Sequence, residues 1–281
     1  MNTALIIATL TMREAVRRRL VAALAVITLG MVALSSWGFY KLSHSSSLTS
    51  GEKGLALPES FILFMFMFSF VVALSASAIA SPAVSGEIDS GVLQTVIARP
   101  IRRAEVLLGK WLGLAALLAA YTAAVSGLQV AIVYLVSGYA PPNPAAAAAL
   151  MFTEGTVLLT LVLVLSTRLS ALAAGVVGVA LFGAAWLVGV AGTLGVAFRV
   201  HSLHTAAVIS QYLLPTNGLW NGAIYYLEPS SFITQAMAGS PSTEGPFFAA
   251  AGPSWQYLTW AVIWLLLVGT LGLVSLERRE L

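Results

Sequence analysis

Six times along this chain of 281 residues an apolar run reaches or passes the length that crosses a lipid bilayer. A hydrocarbon core about 30 Å thick needs about 20 helical residues at about 1.5 Å each. The runs are Leu20–Phe39, Ser60–Ser81, Trp111–Val136, Ala145–Thr167, Leu169–Phe198 and Trp255–Leu276. Only 9% of the residues are charged, against about 25% in soluble domains, so an ordinary water-facing surface cannot be built. The chain reads as one all-α, polytopic membrane domain over residues 1–281, with six transmembrane helices and a lipid membrane as its surroundings.

Lysine and arginine orient it. With the N-terminus inside, the cytoplasmic side receives Arg13, Arg17, Arg18, Arg19, Arg99, Arg102, Arg103, Lys110, Arg168, Arg278 and Arg279, leaving Lys41, Lys53 and Arg199 outside. The positive-inside rule then puts both termini in the cytoplasm. A net charge of +3, concentrated at span ends, gives no case for a nucleic-acid partner. The absence of cysteine excludes disulfides, thiol catalysis and cysteine metal sites.

The connecting segments differ in kind. Residues 1–19 are weakly amphipathic, with Leu5, Ala8, Met12 and Ala15 on one side and Asn2, Thr9, Arg13 and Arg17 opposite. Ending in three arginines, they read as an interfacial helix on anionic headgroups. A signal peptide cut near Ala33-Leu34-Ser35 competes with this, but the run from Leu20 to Phe39 is long enough to span. Lys41 to Glu59, rich in serine and glycine, reads as an external loop. The fourth and fifth spans, separated only by Ser166 to Ser170, form a helical hairpin. Residues 199–254 hold apolar pieces too short to span, broken by Pro215, Pro229 and Pro241, which fit external re-entrant or interfacial helices.

The long charged island between spans runs from Ser81 to Gly113 and carries Glu87, Asp89, Arg99, Arg102, Arg103, Glu105 and Lys110. Pro82 suits the first turn of a helix. Val84, Ile88, Val92 and Val96 then recur on one side, with Glu87, Ser90, Gly91 and Gln94 on another. Arg99 precedes Pro100 and is biased away from helix, so this amphipathic helix is expected to end near Ala98. The next helix begins near Ala104 and enters the membrane past Lys110. Glycine in a helix interior costs about 1 kcal/mol relative to alanine, so Gly91 points to a close approach by another backbone or a partner. Gly109-Lys110 fails as a phosphate loop, because Ala104 and Trp111 stand where glycine and a hydroxyl residue are needed.

Glu87, Gly91, Val92-Leu93, Arg99-Pro100-Ile101, Arg103, Glu105 and Gly109-Lys110 together resemble the signature between spans two and three of type-2 ABC exporter permeases. Val92 and Arg102 depart from it, where the family usually has threonine and often has serine. The resemblance implies a cytoplasmic coupling helix within residues 82–106, docked on a separate ABC ATPase subunit. It implies Glu87, Ser90, Gly91 and Gln94 at that contact, with Arg99, Pro100 and Arg103 fixing the turn. It also implies a homodimer, or a dimer with a related permease, in the inner membrane. ATP and magnesium belong to the partner and no cofactor to this chain, which is a transporter subunit rather than an enzyme. The run Tyr212 to Pro215 further resembles the external segment of the subfamily associated with maturation of multi-copper enzymes.

Three other features bear on function. Glu154 lies about ten residues inside the fourth span, where a carboxylate is costly; it forms a buried structural hydrogen bond, lines a translocation path, or is interfacial if the span is set differently. His201 and His204 share a helix side but make an incomplete metal site, so no metal is assigned. Gly175, Gly178, Gly189, Gly192 and Gly195 in the fifth span, four of them preceded at i−4 by alanine, suit close helix packing within the chain or across a dimer. The aromatic run Phe61, Phe64, Phe66, Phe68 and Phe70 reads as lipid-facing or packing surface rather than a ligand box.

Two other classes compete. A secondary transporter or channel without an ATPase predicts paired ionisable residues within spans, and Glu154 stands nearly alone. An intramembrane enzyme needs a nucleophile and base within reach, which so sparse a polar inventory does not offer. A neighbouring gene for an ABC ATPase separates the permease from both.

Overall fold

The computed structural model describes residues 3–17, 19–91, 102–230, 247–249 and 251–278, and among these it holds helices and no strand. In chain order the helices are α1 (Thr3–Val16), α2 (Arg19–Ser43), α3 (Ser50–Asp89), α4 (Arg103–Ser137) and α5 (Pro144–Leu165). They continue with α6 (Ala171–Ala197), α7 (His201–Leu213), α8 (Thr216–Leu227) and α9 (Trp255–Glu277). Six of them, α2 to α6 and α9, are long and apolar enough to cross a membrane. Each coincides with a run expected from the sequence. The molecule is a multi-pass membrane protein.

The spans α3 and α5 are the most enclosed, and the others surround them. Phe61, Met65 and Phe68 of α3 meet Met151 and Val157 of α5 in one apolar cluster. Ala76, Ala80 and Val84 of α3 meet Leu158, Val162 and Leu163 of α5 in a second. Phe61 and Phe68 are therefore core rather than lipid-facing, because α3 is covered on several sides.

The second span is far longer than its apolar run. α3 holds 40 residues, about 60 Å at helical rise, and continues through Pro58 and Pro82. The segment expected as an external loop, Lys41 to Glu59, is mostly helix, and only residues 44–49 connect α2 to α3. The reason is local. The Glu52 carboxylate accepts from Thr49 N–H at 2.7 Å while Thr49 Oγ1 accepts from Glu52 N–H at 3.3 Å, a capping box that starts the helix despite Gly51 and Gly54.

At its other end α3 corrects a second expectation. Pro82 does not open a separate helix, and the helix ends at Asp89 rather than near Ala98. Gly91 has φ +73°, a left-handed residue just past the helix end, and its N–H bonds to the Ile88 carbonyl at 3.1 Å. It is a helix terminator, not an interior glycine. Val92 to Ile101, with Gln94, Arg99 and Pro100, lie outside the described residues.

α1 docks along the first half of α4. An added Cβ at Gly109 would sit 2.7 Å from the Ala4 carbonyl oxygen, and one at Gly113 would collide with the Ala8 carbonyl. Gly109 and Gly113 thus form a small-xxx-small seat for the N-terminal helix. The face of α1 turned inward carries Thr11 and Ala15, while Leu5, expected on the apolar side with Ala8 and Ala15, is 55% exposed. Backbone approach at the glycines selects the small side chains, leaving Leu5, Ile6 and Leu10 outward beside Arg13 and Arg17.

Past α6 the chain folds back on itself. α7 lies against the end of α6, where Gly192 abuts Ala207 and Gly195 abuts Leu203. α8 then enters the bundle, and Thr216, Leu219, Trp220, Ala223, Ile224 and Leu227 are all buried.

Candidate functional site

Two places gather polar side chains: the junction of α3, α4 and α9 at one end of the bundle, and the surroundings of Glu154 in its interior.

The junction begins with Glu87. Its carboxylate pairs with Lys110 Nζ at 2.5 Å, and Lys110, only 3% exposed, also donates to the Ala83 carbonyl at 2.7 Å. A lysine in an apolar helix entry needs this pairing, since an uncompensated buried cation costs several kcal/mol, on the order of 3–5 when its partner is removed. Both residues belong to the charged island, and the packing of α3 against α4 brings them together from 23 positions apart. Periodicity along one helix cannot show such a pair. Ser90 caps α3, exposed, with its hydroxyl donating to the Glu87 carbonyl at 3.3 Å. No neighbour lies within 4 Å of a Cβ placed on Gly91, so nothing among the described residues presses on it.

Arg103 reaches across to α9, donating to the carbonyls of Leu276 at 2.9 Å and Glu277 at 3.2 Å. Arg168, in the α5–α6 turn, donates to Ser275 Oγ at 2.8 Å and to the Ser275 carbonyl at 2.9 Å. The last carbonyls of a helix have no partner within it, and cations there also complement its dipole. Three separate segments of this end are therefore tied together by charge-assisted bonds: the α3–α4 hairpin, the α5–α6 turn and the end of α9.

At the opposite end, neutral rings do the equivalent work. The break between α7 and α8 frees carbonyls, and α9 supplies donors for them. Trp260 Nε1–H bonds to Tyr212 at 3.0 Å, Trp264 Nε1–H to Leu213 at 2.8 Å, and the Tyr257 hydroxyl to Gln211 at 3.3 Å; the same hydroxyl lies 3.1 Å from the Pro215 carbonyl, which also accepts from Leu219 N–H as α8 begins. The run Tyr212 to Pro215, singled out in the sequence, is thus a seam between α7, α8 and α9. Its partners at 257, 260 and 264 share one helix face, a spacing that could have flagged them.

Glu154 is 3% exposed, and its Oε2 accepts from Ser69 Oγ of α3 at 2.6 Å. Thr216, Asn217 and Trp220 of α8 lie around it with Phe182 and Trp186 of α6. The glycines of α6 line the contacts that hold these helices close: Gly175 faces Ser81, Gly178 meets Val162, and Gly189 meets the Asn217 amide. His201 and His204 are exposed, and among the described residues no three His, Cys, Asp or Glu side chains gather as a metal site.

A family model described as ABC-2 family transporter protein matches residues 5–281. No curated protein matches the chain. The chain belongs to the ABC-2 transporter family.

Proposed function

We propose that this ABC-2 family chain is the membrane-spanning subunit of an ATP-driven exporter, working as a homodimer with a separate ABC ATPase beneath it. Nucleotide and magnesium belong to the ATPase. Both termini and the α3–α4 junction face the cytoplasm of a cell whose inner membrane holds the complex, a reading supported by the cations of that end, Arg103, Lys110 and Arg168. The short seam at Tyr212 to Pro215 supports placing the chain in the subfamily associated with multi-copper enzyme maturation.

The observation that carries the reading is the Glu87–Lys110 pair at the foot of a 40-residue helix. Movement of the segment between α3 and α4, which includes Gln94, Arg99 and Pro100, reaches α3 and α4 together, because the pair joins them where they leave that segment. Arg103 passes the same movement to α9 through the Leu276 and Glu277 carbonyls. Glu87 then acts mainly inside the junction, while exposed Asp89 and Ser90 with Gly91 face the ATPase.

Co-purification with the cognate ATPase tests this. Ser90→Arg places bulk and charge at the exposed tip without touching the ion pair, and is expected to lower ATPase recovery and nucleotide-driven transport while the chain stays folded. Full recovery and unchanged transport in that variant would remove the tip from the interface. A chain that moves substrate with no ATPase present would overturn the exporter.

A further inference from the structure

Glu154 of α5 sits inside a box of aromatic rings. Phe66 of α3 has ring centroids at 5.5 Å from both Trp186 and Trp220, and Phe70 lies 5.1 Å from Phe182 and 5.6 Å from Trp186. Together with Ser69, Glu154, Thr216 and Asn217 these rings line one enclosed cavity of about 10 Å³. Glu154 has no lysine or arginine as ion-pair partner among the described residues. The Trp220 Nε1–H is buried there without a hydrogen-bond partner among them.

The chemistry of this box selects by charge. Glu154 enters α5 ten residues after Pro144, about 15 Å deep, close to the midplane of a bilayer. A carboxylate at that depth is stabilised by a counter-cation, and the faces of the tryptophan and phenylalanine rings carry negative potential that attracts one. An anion is repelled by carboxylate and rings alike. A neutral apolar molecule gains nothing from Glu154. A small hydrated cation gains little from the rings, so the partner that uses both features carries delocalised or shielded positive charge within an apolar body.

We propose that the Glu154 box is a binding site for lipophilic organic cations, of the aryl-phosphonium or quaternary-ammonium class; this names a substrate class and rests on the exporter reading above. At about 10 Å³ the cavity holds no more than about one water, so the form described here is the closed one. The wall that withdraws is α8. It contributes Thr216, Asn217 and Trp220, spans only 12 residues, and begins at the Pro215 break. Gly189 lets the Asn217 amide seat directly on the α6 backbone when the box is shut. Ser69, which donates to Glu154 at 2.6 Å, holds the carboxylate toward the box while α8 moves.

Tritiated tetraphenylphosphonium is the probe, measured by scintillation proximity on the chain with its ATPase in phosphatidylcholine nanodiscs, both nucleotide-free and trapped with ADP and vanadate. Saturable binding is expected in at least one of the two states, displaced by unlabelled tetraphenylphosphonium and not by neutral triphenylphosphine oxide at equal concentration. Glu154→Gln is expected to weaken it about tenfold or more, Glu154→Asp to retain it, and Trp186→Leu to weaken it several-fold. No saturable binding in either state, equal displacement by the neutral compound, or unchanged affinity in Glu154→Gln overturns the proposal. Should that variant not fold, Trp186→Leu decides in the same sense. Failure of the ATPase to co-purify while the chain still binds the cation would remove the exporter reading alone; an intact, active complex that ignores the cation would remove only this site.

Discussion

At one end of the bundle the carbonyls left where helices stop are met by cations; at the other they are met by neutral rings. Arg103 donates to Leu276 and Glu277 and Arg168 to Ser275, while Lys110 adds a bond to Ala83 within α3. Across the molecule Trp260, Trp264 and Tyr257 donate to Tyr212, Leu213 and Gln211. Charge-assisted bonds are the stronger kind, but each cation must be kept solvated or paired, as Glu87 pairs Lys110. Neutral indole and phenol donors need no counter-charge, so they can sit in the drier seam. The charged end can exchange partners with water or a docked protein; the aromatic end cannot do so without exposing bare carbonyls.

The largest expected effect comes from breaking the charged end at its most buried point. Lys110→Met leaves the Glu87 carboxylate without its partner and removes a second bond from the Ala83 carbonyl, and is expected to cost about 2–4 kcal/mol, a range set below the fully buried case because Glu87 is 24% exposed. Adding Glu87→Gln to it should recover much of that loss in detergent unfolding. A double variant no more stable than the single one would show that the pair is not coupled.

Next comes the aromatic end. Trp264→Phe keeps a ring and removes only the bond to Leu213, costing about 1 kcal/mol, and hydrogen exchange should speed up around the α7–α8 break. Trp260 is half-buried and its bond to Tyr212 lies in an exposed position, so Trp260→Phe should do less. Neither difference should respond to salt, which is what separates a neutral seam from an ionic one.

Glu228, just past α8, is the exception that sharpens the contrast. Burial pushes its carboxyl up to about 7 from the usual 4.5, opposed by the Ala249 N–H bonded to Oε1 at 3.0 Å. Because the folded value lies above the unfolded one, the folded chain holds the proton more tightly. The stabilisation is complete below pH 4.5 and is lost as pH rises through about 7. Thermal unfolding followed across that window should show the decline in the native chain and a flat profile in Glu228→Gln; a decline that persists in the variant would assign it to another group.

The smallest effect belongs to Arg168→Gln. Its guanidinium is exposed, so the expected loss is about 0.5 kcal/mol and should fade in high salt. A larger, salt-resistant loss would place the end of α9 in a much drier setting than the charged end requires.

The spans themselves were legible because their length and apolarity are properties of single segments, and α9 begins at the expected residue, Trp255. The capping box at Thr49 and Glu52 is a signal of the same local kind, but the serines and glycines around it make the segment read as a loop. Pro82 misled for a different reason. Proline inside a helix is costly in water, whereas a chain in lipid has no other partner for its backbone and stays helical around it. The Glu87–Lys110 pair and the aromatic box were out of reach, since each joins helices whose relative rotation no single segment encodes. An all-round apolar helix has no periodicity to say which side is inward. Phe66 and Phe68 looked alike in sequence, yet Phe68 is fully buried while Phe66 turns its ring toward Trp186 and Trp220.

The seat of α1 on Gly109 and Gly113 sets an order of events during synthesis. Ala8 leaves the ribosome about 100 residues before the glycine it rests on, a delay of roughly 5–20 s at about 5–20 residues per second. Through that interval two spans are inserted while the first helix has no place to dock. Its outward Leu5, Ile6 and Leu10, flanked by Arg13 and Arg17, suit a helix waiting at the headgroup layer.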